Sequence, residues 1–492
     1  MTGKGLDMKN IIMCLTVSVL SGSAFATTWT VDNDGKADFD NIQAAIDASS
    51  DGDEIIVMPG TYIGNGDEVV DMSGKAVWLH SIDGPEVTII DGQNTRRGIT
   101  SESGETNETV IEGLTITNGF AKYGGGMYCY ESNPTLTDCI FTGNTSNIGG
   151  GMYCDNESSP SLTNCTFTDN TSNNNSYHGG GGMACYHNSR PTLTDCTFTG
   201  NTSNNGGGMY CNESNPTLTD CTFTGNTANE GGGMYCNESS PALTDCSFEY
   251  NTVNAGGGGM LCALNMGDSG PALENCTFTN NTAGHGGGIA SWFSTPTLID
   301  CTFTDNIANE GGGMLCILNS GDSGPTLENC TFTHNTAFLG GAMTCYDSNP
   351  TLTGCTLTMN TANEDGGGMF CDKASNPTLT DCTLTMNTAN EDGGGMFCGN
   401  DSNPTLTDSL LCGNTPNQIQ GPWTDSGGNT IAEVCPVDCP DINGDGYVNV
   451  NDLLIIIDQW GSTKSNADVN FDGIVDVTDL LTVVGNWGPC EN

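Results

Sequence analysis

Residues 216–236 read Pro216-Thr-Leu218-Thr-Asp220-Cys221-Thr-Phe223-Thr-Gly-Asn226-Thr-Ala-Asn-Glu-Gly231-Gly-Gly-Met234-Tyr235-Cys236, and near-copies return about every 25 to 31 residues from Lys122 to Asn414. Met127, Met152, Met183, Met209, Met234, Met260, Ile289, Met314, Met343, Met369 and Met396 mark eleven copies, each behind a glycine-rich run. A unit of this length is too short for a helix pair and cannot bury a core unless it stacks on its neighbours. Met234 and Cys236 share one face of a strand and Tyr235 takes the other. Leu218 does not share the parity of Cys221 and Phe223, so a bend at Thr219-Asp220 is required to turn all three inward, and Asp tolerates such a corner. Three short strands per copy, cornered at Asn-Pro, Asp and Gly-Asn, describe one turn of a parallel β-solenoid with threonines on its outer surface. Turns stacked at about 4.8 Å make a rod roughly 50 Å long and set like residues above like. Asn144, Asn170, Asn201, Asn226, Asn251, Asn281, Asn306, Asn335, Asn360 and Asn387 then form a corner column able to hydrogen-bond along the axis.

Phe223-Thr-Gly-Asn226 with Gly232-Gly233-Met234, and Phe141 to Asn144 with Gly150 to Met152, resemble the F-x-x-N and G-G-[A/I/L/V] signatures of chlamydial-type polymorphic outer-membrane protein repeats. Leu357 and Leu384 depart by replacing Phe. The resemblance covers roughly three-fifths of the chain. It implies an all-β, right-handed parallel β-helix in a secreted or cell-surface protein, and it implies no enzyme. The outer-membrane barrel of that family has no counterpart at this C-terminus.

Lys4 and Lys9 precede an apolar run, Ile11 to Leu20, and Ala24-Phe25-Ala26 supplies a small-x-small cleavage signal, so residues 1–26 read as a secretory signal peptide. The run is too short to span a bilayer. Residues 27–63 follow as a cap. Ile42 to Ala48 has helical spacing that Asp40 or Asn41 can cap, and Glu54 to Met58 is a strand stopped by Pro59-Gly60. This resembles the N-terminal cap of pectate-lyase-like β-helices, and an open solenoid end needs one because its core and strand edges are exposed. Residues 64–430 form the β-helix, with early turns around Ala76 to Leu79, Val87 to Ile90 and Val110 to Ile116.

The chain has 59 acidic and 10 basic residues, a formal charge of −49, which argues against nucleic acid or an anionic membrane as partner. Between residues 121 and 430 only Lys122, Arg190 and Lys373 are basic. Such a rod repels polyanions unless cations bridge them, and leaves neutral glycans and divalent cations as partners. The 25 cysteines fall mainly into two columns, one through Cys236 and one through Cys221. In-turn disulfides require the columns to lose members together. They do not, since Ser291 stands opposite Cys301 and Ser409 follows Cys398. Buried thiol columns fit this better than a disulfide ladder, and zinc, which wants converging ligands, fits neither.

Residues 431–492 differ in composition. Asp441, Asn443, Asp445, Asn449 and Asp452 occupy loop positions 1, 3, 5, 9 and 12, with Tyr447 at position 7 and Gly446 at position 6. Asp468, Asn470, Asp472, Ile474, Asp476 and Asp479 repeat the pattern around Gly473. Such spacing wraps a loop round a hard cation, so two calcium ions are expected. Each loop runs into an apolar helix. The pair resembles a type I dockerin, related to the EF-hand but ending its loops in Asp, and this implies docking to a cohesin-like surface protein. Where many cellulosomal dockerins carry a Ser/Thr recognition pair, this chain has Val450-Asn451 and Val477-Thr478. Cys439 and Cys490 bracket the module as a candidate disulfide, with Cys435 a competing partner.

Two functional readings follow. The first is a secreted, non-catalytic β-helix for adhesion or structure, tethered through the calcium module. The alternative is a carbohydrate-active β-helix enzyme, a polysaccharide lyase or glycoside hydrolase, anchored the same way. Lyases of this shape need a basic residue beside carboxylates, and the rod is nearly without them. Gly284-His285-Gly286 lacks the paired aspartates of a hydrolase, and the two Gly-Asp-Ser-Gly-Pro stretches, at Gly267 and Gly321, lack a positioned His-Asp pair. Those stretches widen two turns, and the turn between them carries Trp292-Phe293. Asp268 and Asp322 are therefore expected to flank an aromatic platform suited to a neutral sugar, unless Trp292 merely covers a widened corner.

Overall fold

In each repeat the chain makes one circuit of a parallel β-helix, and Asp220 shows how. The computed structural model describes residues 26–173, 179–264, 270–317, 324–399, 401–435, 440–444, 446–463, 465, 467–469 and 474–490. Asp220 has φ +54°, and Asp138, Asp195, Asp245, Asp300 and Asp381 lie within two degrees of it. Asp accepts this left-handed conformation because its short side chain bonds locally. The reversal lets Leu218 of strand Thr217–Thr219 and Phe223 of strand Thr222–Thr224 both face inward, with Cys221 between them, all at most 1% exposed. Strand Met234–Asn237 closes the circuit with Met234 and Cys236 inside.

Successive circuits pair as three parallel sheets of 16, 14 and 15 strands. Register is strict, with Leu193↔Leu218↔Leu243, Phe198↔Phe223↔Phe248 and Cys211↔Cys236↔Cys262. From Phe141 to Phe332 the phenylalanine rings stack with centroids 4.4–4.8 Å apart, a separation that follows the strand spacing. Leu357 and Leu384 continue the column. Some turns add a short fourth strand after the corner asparagine, such as Thr336–Ala337 pairing Thr361–Ala362.

The asparagine column is a continuous buried ladder. Asn226 Nδ2 donates to Phe198 O at 2.9 Å and to Asn251 Oδ1 at 3.0 Å. Its own Oδ1 accepts from Asn201 N and Nδ2, both at 3.0 Å. The same links run from Asn144 to Asn414, where Gln418 Oε1 accepts the last amide. Every amide from Asn144 to Asn387 has no exposed surface, so each polar atom must be met inside the protein. The glycine runs have an equally local cause. A Cβ on Gly233 would lie 2.6 Å from both Gly259 O and the Phe248 ring, so no larger residue fits between the stacked turns.

Tyr235, on the outer face of its strand, is only 8% exposed. It belongs to a second apolar layer, the column Tyr128, Tyr153, Ala184, Tyr210, Tyr235, Leu261 and Ala290. At Ala184 the column residue is too small to touch its neighbours. Tyr186 fills the place, with ring centroids 5.4 Å from Tyr153 and 5.5 Å from Tyr210.

Helix α1 (Ile42–Ala48) lies at the N-terminal end, and Asn41 rather than Asp40 caps it by accepting from Ala44 N at 2.8 Å. Ile42, Ala45 and Ile46 pack into the same core as Val31 and Val57 of the first strands, which covers the open end. Among the described residues twenty cysteines are free and buried, as expected for thiol columns. Burial pushes Cys154 and Cys262 up from the usual thiol range. Cys435 is bonded to Cys412 at the last turn of the rod, which removes it as a partner for the C-terminal module. Cys490 is disulfide-bonded, and its expected partner Cys439 lies outside the described residues, as do residues 1–25 of the signal-peptide reading.

Asn226→Ala strands Asn201 N and Nδ2 in the core. It is expected to cost roughly 3 kcal/mol or more, against less than about 0.5 kcal/mol for the half-buried Thr224→Ala. Urea denaturation of the full chain measures both, and equal effects would show that the ladder carries no special weight.

Candidate calcium module and the Trp292 corner

The C-terminal module is built twice from one plan. Helix α2 (Val450–Asp458) starts at Asn449 and α3 (Val477–Gly485) at Asp476, each with a reciprocal capping box closed by Asp452 or Asp479. Asp452 Oδ1 also accepts from Ile442 N at 2.8 Å and Asn443 N at 3.1 Å, which ties the loop's entry to its exit. Asp441 accepts from Gly444 N and Gly446 N, and Gly446 takes φ +84°, the sharp turn expected at position 6. The two halves share a core of Val448, Ile456, Ala467, Val469, Val475 and Val483.

Asp452 and Asp479 have no exposed surface and Asp468 is 5% exposed. Lys464 is the only basic residue from 431 to 492. Buried carboxylates grouped with amide and carbonyl oxygens at this spacing suit a hard divalent ion. Asp441, Asn443, Tyr447, Asn449 and Asp452 are the residues of the first loop that would hold it. Asp468, Ile474, Asp476 and Asp479 are those of the second. Asp445, Asn470 and Asp472 lie outside the described residues, and the remaining ligands alone form no cluster of three carboxylates.

Each helix also shows an apolar stripe to solvent. Val450, Leu454, Ile457 and Trp460 are 51–56% exposed, and Val477, Leu481, Val484 and Trp487 are 47–60% exposed at identical spacing. Spacings of four and three residues hold Val450, Leu454 and Ile457, and likewise Val477, Leu481 and Val484, to one helix face, and Trp460 and Trp487 follow just past the helix ends. The Leu-Leu pattern of each helix was visible in the sequence, but only the fold shows which leucine faces out.

At the widened corner, Trp292 is half-buried, with its ring against Gly256, and it joins the layer of Leu261, Ala263 and Ala290. It stands to Ala290 as Tyr186 stands to Ala184, restoring a layer that a small residue interrupts. Phe293 follows at φ +55° and is also half-buried. Asp268 and Asp322 lie outside the described residues.

Residues 60–204, 171–303 and 267–433 match the profile of the right handed beta helix region. The chain belongs to the right-handed β-helix family. Residues 440–485 of this β-helix protein match the dockerin type I domain, a type that mediates cohesin binding and typically binds calcium. The finer resemblance to polymorphic outer-membrane repeats rests on its motifs alone. No curated protein matches. Among solved structures, the β-helix is similar to the catalytic unit of a GH87 α-1,3-glucanase from Streptomyces thermodiastaticus, at 14% identity and TM-score 0.39, over 79% of this chain and 65% of that one. It is also similar to the A-module of a mannuronan C-5 epimerase from Azotobacter vinelandii, at 13% identity and TM-score 0.36, over 80% and 95%. A mannuronic acid specific family 6 lyase from human gut microbiota matches at 10% identity and TM-score 0.36, over 94% and 98%. Among the described residues no helix is long and apolar enough to cross a membrane.

Chelation of calcium from the full chain is expected to abolish a separate unfolding transition of the module while the rod's transition stays in place. Calorimetry with and without EDTA reads this, and an unchanged module transition would remove the metal from its folding. Trp292→Ala is expected to destabilise the rod by roughly 2 kcal/mol through lost packing. An unchanged urea midpoint would return Trp292 to the role of an open platform.

Proposed function

We propose that this is an exported, carbohydrate-active β-helix protein, held outside the cell on a cohesin-like partner through a dockerin loaded with two calcium ions. The doubled apolar stripe beside the calcium loops carries the tethering part. Eight apolar side chains half out of water, six on the two helices of the same short module and two tryptophans just past their ends, are what a protein partner would cover. The loops fix the orientation of both helices through their capping boxes, so calcium binding and docking are coupled.

The rod's side of the reading changes the order given by composition. Adhesion ranked first because basic residues are scarce. The outer aromatic layer of the second sheet, however, opens near its N-terminal end beside ionisable side chains, surroundings suited to a sugar ring. A rigid rod also presents such a face to a polymer at little entropic cost.

Full-chain protein is incubated with insoluble neutral and acidic polysaccharides, reading co-sedimentation and released chain ends. Cohesin-bearing beads read docking in parallel. Binding with turnover on a neutral glycan is expected. Leu454→Glu with Leu481→Glu is expected to lose bead capture and keep the polysaccharide result. Binding without turnover would restore the adhesion reading, and neither binding nor turnover would overturn the carbohydrate assignment.

A further inference from the structure

Where Ala184 interrupts the tyrosine column and Tyr186 swings in to fill it, the neighbouring corner is left to other side chains. His187 occupies that corner at φ +47°, a position held by Glu213 and Glu238 in the next two turns. Its Nδ1 lies 2.6 Å from Asp155 Oδ1, one turn before. Asp155 is itself held, accepting from Tyr153 Oη at 3.1 Å and from Asn156 N at 2.9 Å. In the neutral imidazole, a carboxylate fixed in this way places the proton on Nδ1 and leaves Nε2 as the acceptor. The His187 side chain is 59% exposed, against 16% for Asp155.

Beside this pair is a cleft of about 330 Å³, lined among others by Lys122, Tyr123, Asn147, Tyr153, His187 and Asn212. Tyr123 stacks on Tyr153 at 5.2 Å, and Tyr153 on Tyr128 at 5.8 Å. The Lys122 ammonium sits 4.7 Å from the Tyr123 ring centre, and Arg97 lies 4.8 Å from that of Tyr128. Arg97 also donates to Tyr123 O and Gly124 O, which fixes the backbone under the aromatic wall. Burial and the Asp155 charge push Tyr128 up to about 12, so it remains a neutral phenol.

We infer that this cleft is a saccharide-binding site, taking one sugar unit of a neutral glycan against the Tyr123 ring with its hydroxyls on His187 Nε2, Lys122 and the two asparagine amides. Ring faces carry negative charge density that attracts the polarised C–H bonds of a pyranose. Neutral amide, imidazole and ammonium groups supply donors and acceptors in the mixture a hydroxyl-rich ring requires. A polyanion is disfavoured, because Asp155 sits against His187 of the cleft and the chain carries a formal charge of −49. The site deepens the carbohydrate reading above and rests on it.

The test uses the full calcium-loaded chain and titration calorimetry with cellohexaose, xylohexaose, laminarihexaose and an oligogalacturonate. Binding of at least one neutral probe is expected, weakened about tenfold or more by His187→Ala and by Tyr123→Ala. Tyr250→Ala, which removes an exposed tyrosine elsewhere on the rod, is expected to leave binding unchanged. His187→Gln, which keeps an acceptor, is expected to recover part of the loss. His187 is a surface side chain, so its variants remain folded even where Tyr123→Ala is not. Neutral-glycan binding untouched by His187→Ala would sink this site and leave the polysaccharide reading standing. Binding of the oligogalacturonate alone would overturn the neutral class, and no binding to any probe would overturn site and reading together.

Discussion

The constraint on which this structure depends is the stacking of one turn directly on the next in strict register. Every buried position then faces its own copy above and below, so it must hold a residue compatible with itself. Phenylalanine satisfies this by face-to-face stacking, leucine and methionine by ordinary packing, and glycine by leaving room for the next carbonyl. Asparagine satisfies it with polar atoms. Its amide is donor and acceptor at once, so each copy can give to the turn above and receive from the turn below without a residual charge.

That self-complementarity explains where the repeat is free to vary and where it is not. Threonines on the outer faces carry no such requirement and interchange with Ser, Ala and Glu, as at Ser247, Ala272 and Glu249. Thiols pack as small apolar groups against their own copies, which accounts for cysteine columns without a regular disulfide pattern. The outer tyrosine layer obeys the rule less strictly. Where Ala184 or Ala290 breaks it, an aromatic residue two positions on repairs the surface. Departures from the repeat are therefore where distinct chemistry can enter.

The C-terminal module follows different physics. It is small, and its core is a handful of valines and isoleucines beside buried carboxylates that accept from loop and helix-start amides. Dockerin type I domains typically bind calcium, so the module's folding is expected to depend on the ion. The same Asp452 that closes a capping box also holds the loop's first backbone amides, so loop entry and helix start are mechanically one unit.

Much of this was legible in residue order alone. Repeat length, the inward set of Leu218, Cys221, Phe223, Met234 and Cys236, the pivot at Asp220, the asparagine ladder and the doubled calcium spacing all follow from local parity and copy number. These are properties that stacking in register carries unchanged into three dimensions. What tertiary structure alone decided concerns pairs of residues from different turns at positions where the copies differ. The meeting of His187 with Asp155, the insertion of Tyr186 over Ala184 and of Trp292 beside Ala290, and the Cys412–Cys435 bond are of this kind. The physical reason is that a periodic sequence specifies the column each residue joins, whereas a departure from the period is resolved by whichever neighbour in the adjacent turn has the reach and polarity to fill the space it leaves.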